Sequence, residues 1–200
     1  EIAELYELAQ RALEQAGRFR AAVSSDLMIE SLFKVGTSAG GRRPKAEVNV
    51  NFKEGLCYSG QVATPYPGYT PMIIKFDEHL KIPTTRIEYS YYLMALDAGV
   101  MMMPSCLLEG ETATHFLTER FDRRGDKKVH VQTLAAMQPS ADSYEDLFDT
   151  AYRIGVSPAE LQQLFRLMVL NILGGNVDDH NKNFSFLMGD DGQWHTAPTY

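Results

Sequence analysis

Nine residues, Asn176-Val177-Asp178-Asp179-His180-Asn181-Lys182-Asn183-Phe184, gather reactive groups on one short stretch. The carboxylate of Asp178 can accept a hydroxyl proton. Asn183, five residues on, can ligate Mg²⁺ through its amide oxygen, and Lys182 between them can neutralise a phosphate. Such a set suits phosphoryl transfer, in which positioning and charge neutralisation do most of the work. A metal cluster of Asp178, Asp179 and His180 is a second option, although no H-E-x-x-H or C-x-x-C pattern accompanies it. An ordinary polar turn between a helix and a strand is the third.

The flanking residues supply elements that could hold such a loop. Ser157-Pro158-Ala159-Glu160 is a capping box with proline at the first helical position. Leu161, Leu164, Phe165, Met168 and Ile172 recur at helical spacing and predict one apolar face, so a helix is expected over 158–173, ended by Gly174-Gly175. Beyond the loop, 184–188 reads as a strand and Gly189-Asp190-Asp191-Gly192 as a turn. The Asp-to-Asn spacing matches the protein-kinase catalytic loop H-R-D-x-x-x-x-N, with Asn176-Val177 standing where His-Arg would be. Helix, polar loop and hairpin follow in the order found around that loop.

Composition narrows the classes. Two hundred residues make one domain or two tightly packed lobes. Hydrophobic residues at 44% and charged ones at 22% are ordinary globular values. A formal net charge of -7 argues against a dedicated nucleic-acid binder, which needs a basic face, and fits a soluble, Mg²⁺-using cytoplasmic protein. Cys57 and Cys106 have neither ligand spacing nor a disulfide framework and read as reduced core or strand thiols. No apolar run approaches a membrane span, and the start at Glu1 shows no signal-peptide pattern.

Along the chain, Ile2, Leu5, Leu8, Ala9, Ala12, Leu13 and Ala16 predict an amphipathic helix over 2–16, and a second is expected over about 26–34. Ala46, Val48, Val50 and Phe52 alternate with Glu47, Asn49, Asn51 and Lys53, which predicts a half-buried strand, followed by a short one at 56–58. Residues 59–71 are rich in Pro and Gly and read as loop. Strands are expected over 72–76, 103–108 and 113–121. A helix over 85–97 is expected to use Ile87, Tyr91, Leu93, Met94 and Leu96 as apolar positions. Further helices are expected at 131–137, 143–153 and 158–173. The layout is α+β with two lobes: N-terminal helices over 1–35, a β-rich N-lobe over 36–121 and a helical C-lobe over 122–200.

Three further constellations bear on phosphoryl transfer. Lys75 sits inside an apolar strand, where its ammonium needs a partner unless it points to solvent from an edge. In kinases a strand lysine reaches the ATP phosphates and is held by a glutamate of the next helix, the place Glu88 occupies here. Loop 36–45, Gly36-Thr37-Ser38-Ala39-Gly40-Gly41-Arg42-Arg43-Pro44-Lys45, could cradle phosphate oxygens with its backbone N–H groups. It is neither a Walker A loop nor G-x-G-x-x-G, and a flexible hairpin with a solvated basic end is the alternative. Glu119-Arg120-Phe121-Asp122-Arg123 could be a segment crossing between lobes that offers backbone groups to adenine, or a solvated salt-bridge cluster.

Together these motifs resemble the HipA family of toxin serine/threonine kinases. Ser38-Ala39-Gly40-Gly41-Arg42-Arg43-Pro44-Lys45-Ala46 is similar to that family's S-x-G-G-x-R-P-K signature. Glu119 to Arg123, Gln132-Thr133-Leu134, Asp142-Ser143-Tyr144-Glu145, Asn176 to Phe186 and the stretch from Trp194 to Tyr200 follow in family order, so the resemblance covers about residues 24–200. It implies a two-lobed protein-kinase-like fold that transfers the γ-phosphoryl group of ATP to a protein hydroxyl with Mg²⁺. Asp178 would be the catalytic base and Asn183 the Mg²⁺ ligand. Lys75 and Lys182 would contact phosphates. Glu119 and Phe121 would offer backbone groups to adenine. Ser38, Gly40, Gly41 and Lys45 would line the phosphate-side loop, with Ser38 as an autophosphorylation site that inactivates the kinase. A DNA-binding antitoxin of HipB type is the implied partner, and an aminoacyl-tRNA synthetase an implied protein substrate.

The sequence departs from the family pattern. It lacks the family's small N-terminal subdomain, and it stops at Tyr200, before the aspartate that supplies the second Mg²⁺ ligand and before the helices that complete the C-lobe. The expectation is therefore a truncated core with reduced activity. Two other functions remain open: a non-catalytic nucleotide- or partner-binding module, and a small-molecule phosphotransferase sharing the loop spacing.

Overall fold

The computed structural model describes residues 21–22, 44–60, 65–77, 82–110, 113–125 and 127–199. The helices expected over 2–16 and 26–34 and most of loop 36–45 lie outside them. The chain divides into two compact units, one of Glu1–Tyr89 with Pro104–Arg120, the other of Ser90–Met103 with Phe121–Tyr200.

The first unit is built on a six-stranded antiparallel sheet. Its strands are β1 (Ala21–Ala22), β2 (Lys45–Asn51), β3 (Leu56–Ser59), β4 (Thr70–Lys75), β5 (Ser105–Glu109) and β6 (Thr114–Glu119), in the spatial order β1-β3-β2-β4-β6-β5. The alternation of β2 puts Ala46, Val48 and Val50 on one face, where they pack with Cys57, Met72, Ile74, Phe76 and Leu117. Burial pushes the Cys57 thiol up to about 12, so this free cysteine is an inert core group. The other face of β2 is covered as well, against the half-buried expectation: Asn49 and Asn51 are buried. Asn49 lies opposite Tyr58, and the rings of Tyr58, Tyr66 and Tyr69 cluster there with centroids 4.9–6.4 Å apart. Asn49 Nδ2 donates to Ser59 O at 3.4 Å, while Asn51 Oδ1 accepts from the N–H groups of Lys53 and Glu54 and shapes the β2–β3 turn.

Helix α1 (Thr84–Asp97) begins in the first unit and ends in the second. Its first turn is fixed by Thr85, whose buried hydroxyl donates to Thr114 O at 2.7 Å. The apolar face drawn from spacing is not the buried one. Ala95 is buried, whereas Ile87, Leu93, Met94 and Leu96 are exposed. The helix is apolar over most of its circumference, so spacing alone does not fix its rotation.

The second unit contains the ribbon β7 (Arg123–Arg124) and β8 (Lys127–Lys128), then β9 (His130–Thr133), α2 (Leu134–Met137), α3 (Tyr144–Arg153), α4 (Pro158–Gly174), β10 (Ser185–Met188) and β11 (Trp194–Thr196). Strands β9, β10 and β11 form an antiparallel sheet with β10 in the middle. The helix expected over 131–137 is thus a strand followed by one helical turn. Residues 130–133 pair with 185–188, and Thr133 then caps α2 by accepting from Ala136 N. Leu134, Ala141, Leu147, Ala151, Val156, Leu164, Leu167, Phe184 and Phe186 form the core.

The capping box of α4 is present: Ser157 Oγ accepts from Glu160 N, and Glu160 Oε2 accepts from Ser157 N. Leu164 and Leu167 are the buried face, while Phe165 and Ile172 are exposed. The expected face is thus right in part: Leu161 and Leu164 pack in the core as expected, whereas Leu167 is buried in place of Phe165 and Ile172. Glu160 also reaches β11, where its Oε1 accepts from Thr196 N at 3.1 Å beside His195 Nδ1 at 3.2 Å. Burial disfavours its charge, but the Ser157 and Thr196 hydrogen bonds and neighbouring His195 outweigh this and hold the carboxyl below its ordinary range. Because the folded value is lowered, the contribution of Glu160 is complete above the ordinary glutamate range and is lost as pH falls through the lowered value. We expect Glu160→Gln to lower the urea midpoint near neutral pH and to weaken its decline as pH falls below the ordinary glutamate range.

Helix α4 ends at Gly175, whose φ of 67° is left-handed and whose N–H reaches the carbonyls of Asn171 and Ile172. Nothing crowds a Cβ there, so the cost of a side chain is purely conformational. Gly175→Ala should destabilise the chain by about 1 kcal/mol in urea titration.

Candidate active site

The loop from Asn176 to Phe184 leaves α4 and enters β10, as its sequence requires. It carries no ladder of its own, and side-chain amides hold it. Asp178 N donates to Asn176 Oδ1 at 3.2 Å, and Asn176 Nδ2 donates to Asn171 Oδ1 on α4, also at 3.2 Å. Asn183 Nδ2 donates to the Asp178 carbonyl at 2.6 Å, which is the structural result of the five-residue spacing. Asn183 N donates to His180 O at 2.8 Å. Asn181 Nδ2 donates to Ala141 O, and the Asn181 and Phe184 carbonyls accept from Ala135 and Leu134 at the start of α2. The backbone of the loop is thereby fixed, and the Asp178 side chain projects from it, 92% exposed.

Asp178 and Asp179 have opposite surroundings. The His180 ring nitrogen Nε2 lies 3.9 Å from Asp178 Oδ1. The Asp179 carboxylate is partly buried and accepts from the Tyr144 hydroxyl and from Asn171 Nδ2. The two acids diverge. Among the described residues no three His, Cys, Asp or Glu side chains gather to hold a metal ion by themselves. That disposes of the Asp178–Asp179–His180 cluster as a self-sufficient metal site. Lys182 is exposed and makes no ion pair among the described residues.

In the first unit, Lys75 ends β4 and its ammonium pairs with Glu88 of α1. The side chain is 19% exposed, and Nζ lies 5.5 Å from the centroid of Phe116, a cation–π distance. Lys75 is therefore an internal, partnered lysine rather than a solvent-facing edge residue. Lys45 lies directly opposite Lys75 across the β2–β4 pair.

Glu119 is the last residue of β6 and its N–H donates to Pro104 O at 2.9 Å. Arg120 is not part of a solvated cluster, because it is buried, pairs with Glu47 and donates its N–H to Pro71 O. Phe121 opens the second unit, next to Asp122, which pairs with Arg123. Ser38, Gly40 and Gly41 fall outside the described residues. Sequence reasoning gave no role to the Tyr144 and Asn171 side chains, and gave Asp179 only the metal-cluster option. The one available signal was Asn171, a polar residue in an otherwise apolar helical run.

The chain is similar to several known proteins. Y4mE of Sinorhizobium fredii, whose name carries a provisional kinase designation, is 25% identical over 158 residues, covering 70% of this chain and 37% of its own length. HipA of the Shewanella oneidensis MR-1 toxin–antitoxin system, solved with HipB and its operator DNA, superposes with a TM-score of 0.59 at 21% identity, over 82% of this chain and 42% of that one. The Helicobacter pylori proinflammatory kinase CtkA superposes with a TM-score of 0.53 at 17% identity, over 68% of this chain and 51% of that one. The chain thus spans well under half of Y4mE and of the Shewanella HipA. The likenesses give an α+β, protein-kinase-like fold, and no helix among the described residues is long and apolar enough to cross a membrane. The model of the HipA-like C-terminal domain matches residues 37–200, and the chain belongs to that family.

Proposed function

We propose that this chain carries the phosphotransferase core of a HipA-like serine/threonine protein kinase. The observation that carries this reading is the clamp of Asn183 on the Asp178 carbonyl, which presents an exposed carboxylate from a fixed backbone. Asp178 would accept the proton of a protein hydroxyl as its oxygen bonds to the γ-phosphorus of ATP and the bond to the β,γ-bridging oxygen breaks. Lys75, oriented by Glu88, and the facing Lys45 offer positive charge to phosphate oxygens. Lys182 would add charge from the loop. Glu119 and Phe121 stand at the segment proposed to meet adenine.

The donor set suits Mg²⁺. Asn183 commits its Nδ2 to the Asp178 carbonyl, which leaves Oδ1 as a hard oxygen donor, and Mg²⁺ uses one or two protein oxygens with phosphate and water for the rest. Bound there, Mg²⁺ would supply charge neutralisation on the phosphates. The acid adjacent to Asp178 is turned towards Tyr144 and Asn171, which favours a protein hydroxyl over an acidic small-molecule pocket. The Shewanella relative solved with HipB and operator DNA supports a HipB-type antitoxin as partner. An aminoacyl-tRNA synthetase is the protein substrate that the family likeness suggests.

In the full-length protein, Asp178→Asn should lower phosphate transfer by about 10²–10⁴-fold while Mg-ATP affinity stays within a few-fold. Lys75→Ala should weaken Mg-ATP binding roughly tenfold by calorimetry. Undiminished transfer by Asp178→Asn would remove the base assignment, and unchanged nucleotide affinity would make Lys75 structural.

Ser38 tests self-inactivation. Phosphopeptide mapping after incubation with Mg-ATP should find phosphate on Ser38 or the neighbouring Thr37. A clean spectrum at both positions would dismiss the idea.

A further inference from the structure

We infer that Asp179 is the positioning residue of the loop: through Tyr144 and Asn171 it ties the segment that presents Asp178 to α3 and α4. The inference rests on the kinase reading just given. The chain of contacts is continuous. Asp179 Oδ2 accepts from the hydroxyl of Tyr144, the first residue of α3, and from Asn171 Nδ2 at 3.2 Å in the last turn of α4. Asn171 Nδ2 also approaches the Tyr144 oxygen at 3.1 Å, and its Oδ1 accepts from Asn176. Asn176 in turn accepts from Asp178 N.

The circuit therefore closes on the residue beside the one where it began. Both main-chain polar groups of Asp178 are engaged, the N–H by Asn176 and the carbonyl by Asn183, so only its carboxylate is left for chemistry. Aromatic packing reinforces the anchor, since the ring of Tyr144 meets buried Phe184 edge-on with centroids 5.8 Å apart.

The chemistry favours a carboxylate at position 179. Two donors converge on one oxygen, and its negative charge strengthens both bonds. Burial and the hydrogen bond to Asp179 push the Tyr144 phenol up to about 12, so it remains a donor throughout the neutral range. An amide at 179 still accepts both through its oxygen, but without the charge each bond is weaker and the loop is held less tightly.

The test uses the full-length protein with Asp179→Asn, Tyr144→Phe and the double variant, and Asp178→Asn as reference. Amide hydrogen exchange over residues 176–183 should become about tenfold faster in each of the first three, with α4 protection retained. The kcat for transfer should fall up to about 10²-fold with KM for ATP nearly unchanged, because a loop misplaced by about 1 Å costs that much. The double variant should be little worse than either single one, as for members of one network. Unchanged exchange in both Asp179→Asn and Tyr144→Phe would overturn the inference, as would a kcat loss matched by lost protection throughout α4. Faster loop exchange in Asp179→Asn combined with full transfer by Asp178→Asn would leave the anchor standing and refute the base assignment instead.

Discussion

A loop outside any sheet or helix must still satisfy its backbone hydrogen-bonding groups, and between α4 and β10 that constraint is met by asparagine. The primary amide both donates and accepts, so one side chain can take a carbonyl on one side and an N–H on the other. Asn176 does this between Asn171 and Asp178. Asn181 and Asn183 each take one carbonyl. The loop is held by its side chains, which is what the proposed base, with its carboxylate in water, requires.

The first unit solves a different problem. A lysine within a sheet is costly unless its charge is met, and Lys75 is met by Glu88 from the following helix. Thr85 fixes the start of that helix on β6, so the position of Glu88 depends on the same sheet that carries Lys75. Arg120, buried against Glu47 and bonded to Pro71, ties the end of β6 to the strands beside it. Charge at this end of the sheet is thus set by backbone register as much as by side-chain choice.

What the sequence made legible was local. The capping box at Ser157, the Gly174-Gly175 stop and the Asp178–Asn183 spacing each depend on residues a few positions apart, and each has a geometric counterpart in the fold. Three features were not legible, because their causes are distant. Residues 130–133 become a strand through partners at 185–188. Asn49 and Asn51 are buried because tyrosines at 58, 66 and 69 gather on their face. The anchoring of Asp179 depends on Tyr144, 35 residues earlier, whose hydroxyl meets its carboxylate. Helices α1 and α4 follow from their spacing, but the buried side of α1 does not and that of α4 does only in part, since apolar residues surround most of each axis and packing selects the buried side.

Reliance on amides gives the loop a chemical lifetime. Asparagine is among the thermolabile residues, because its side chain hydrolyses slowly to a carboxylate. At Asn183 that change would turn the donor facing the Asp178 carbonyl into an acceptor, placing two oxygens 2.6 Å apart with no proton between them. At Asn176 it would keep the acceptor for Asp178 N but lose the donor to Asn171. A single hydrolysed amide, with no change in the gene, would age the protein at the loop that presents the proposed base.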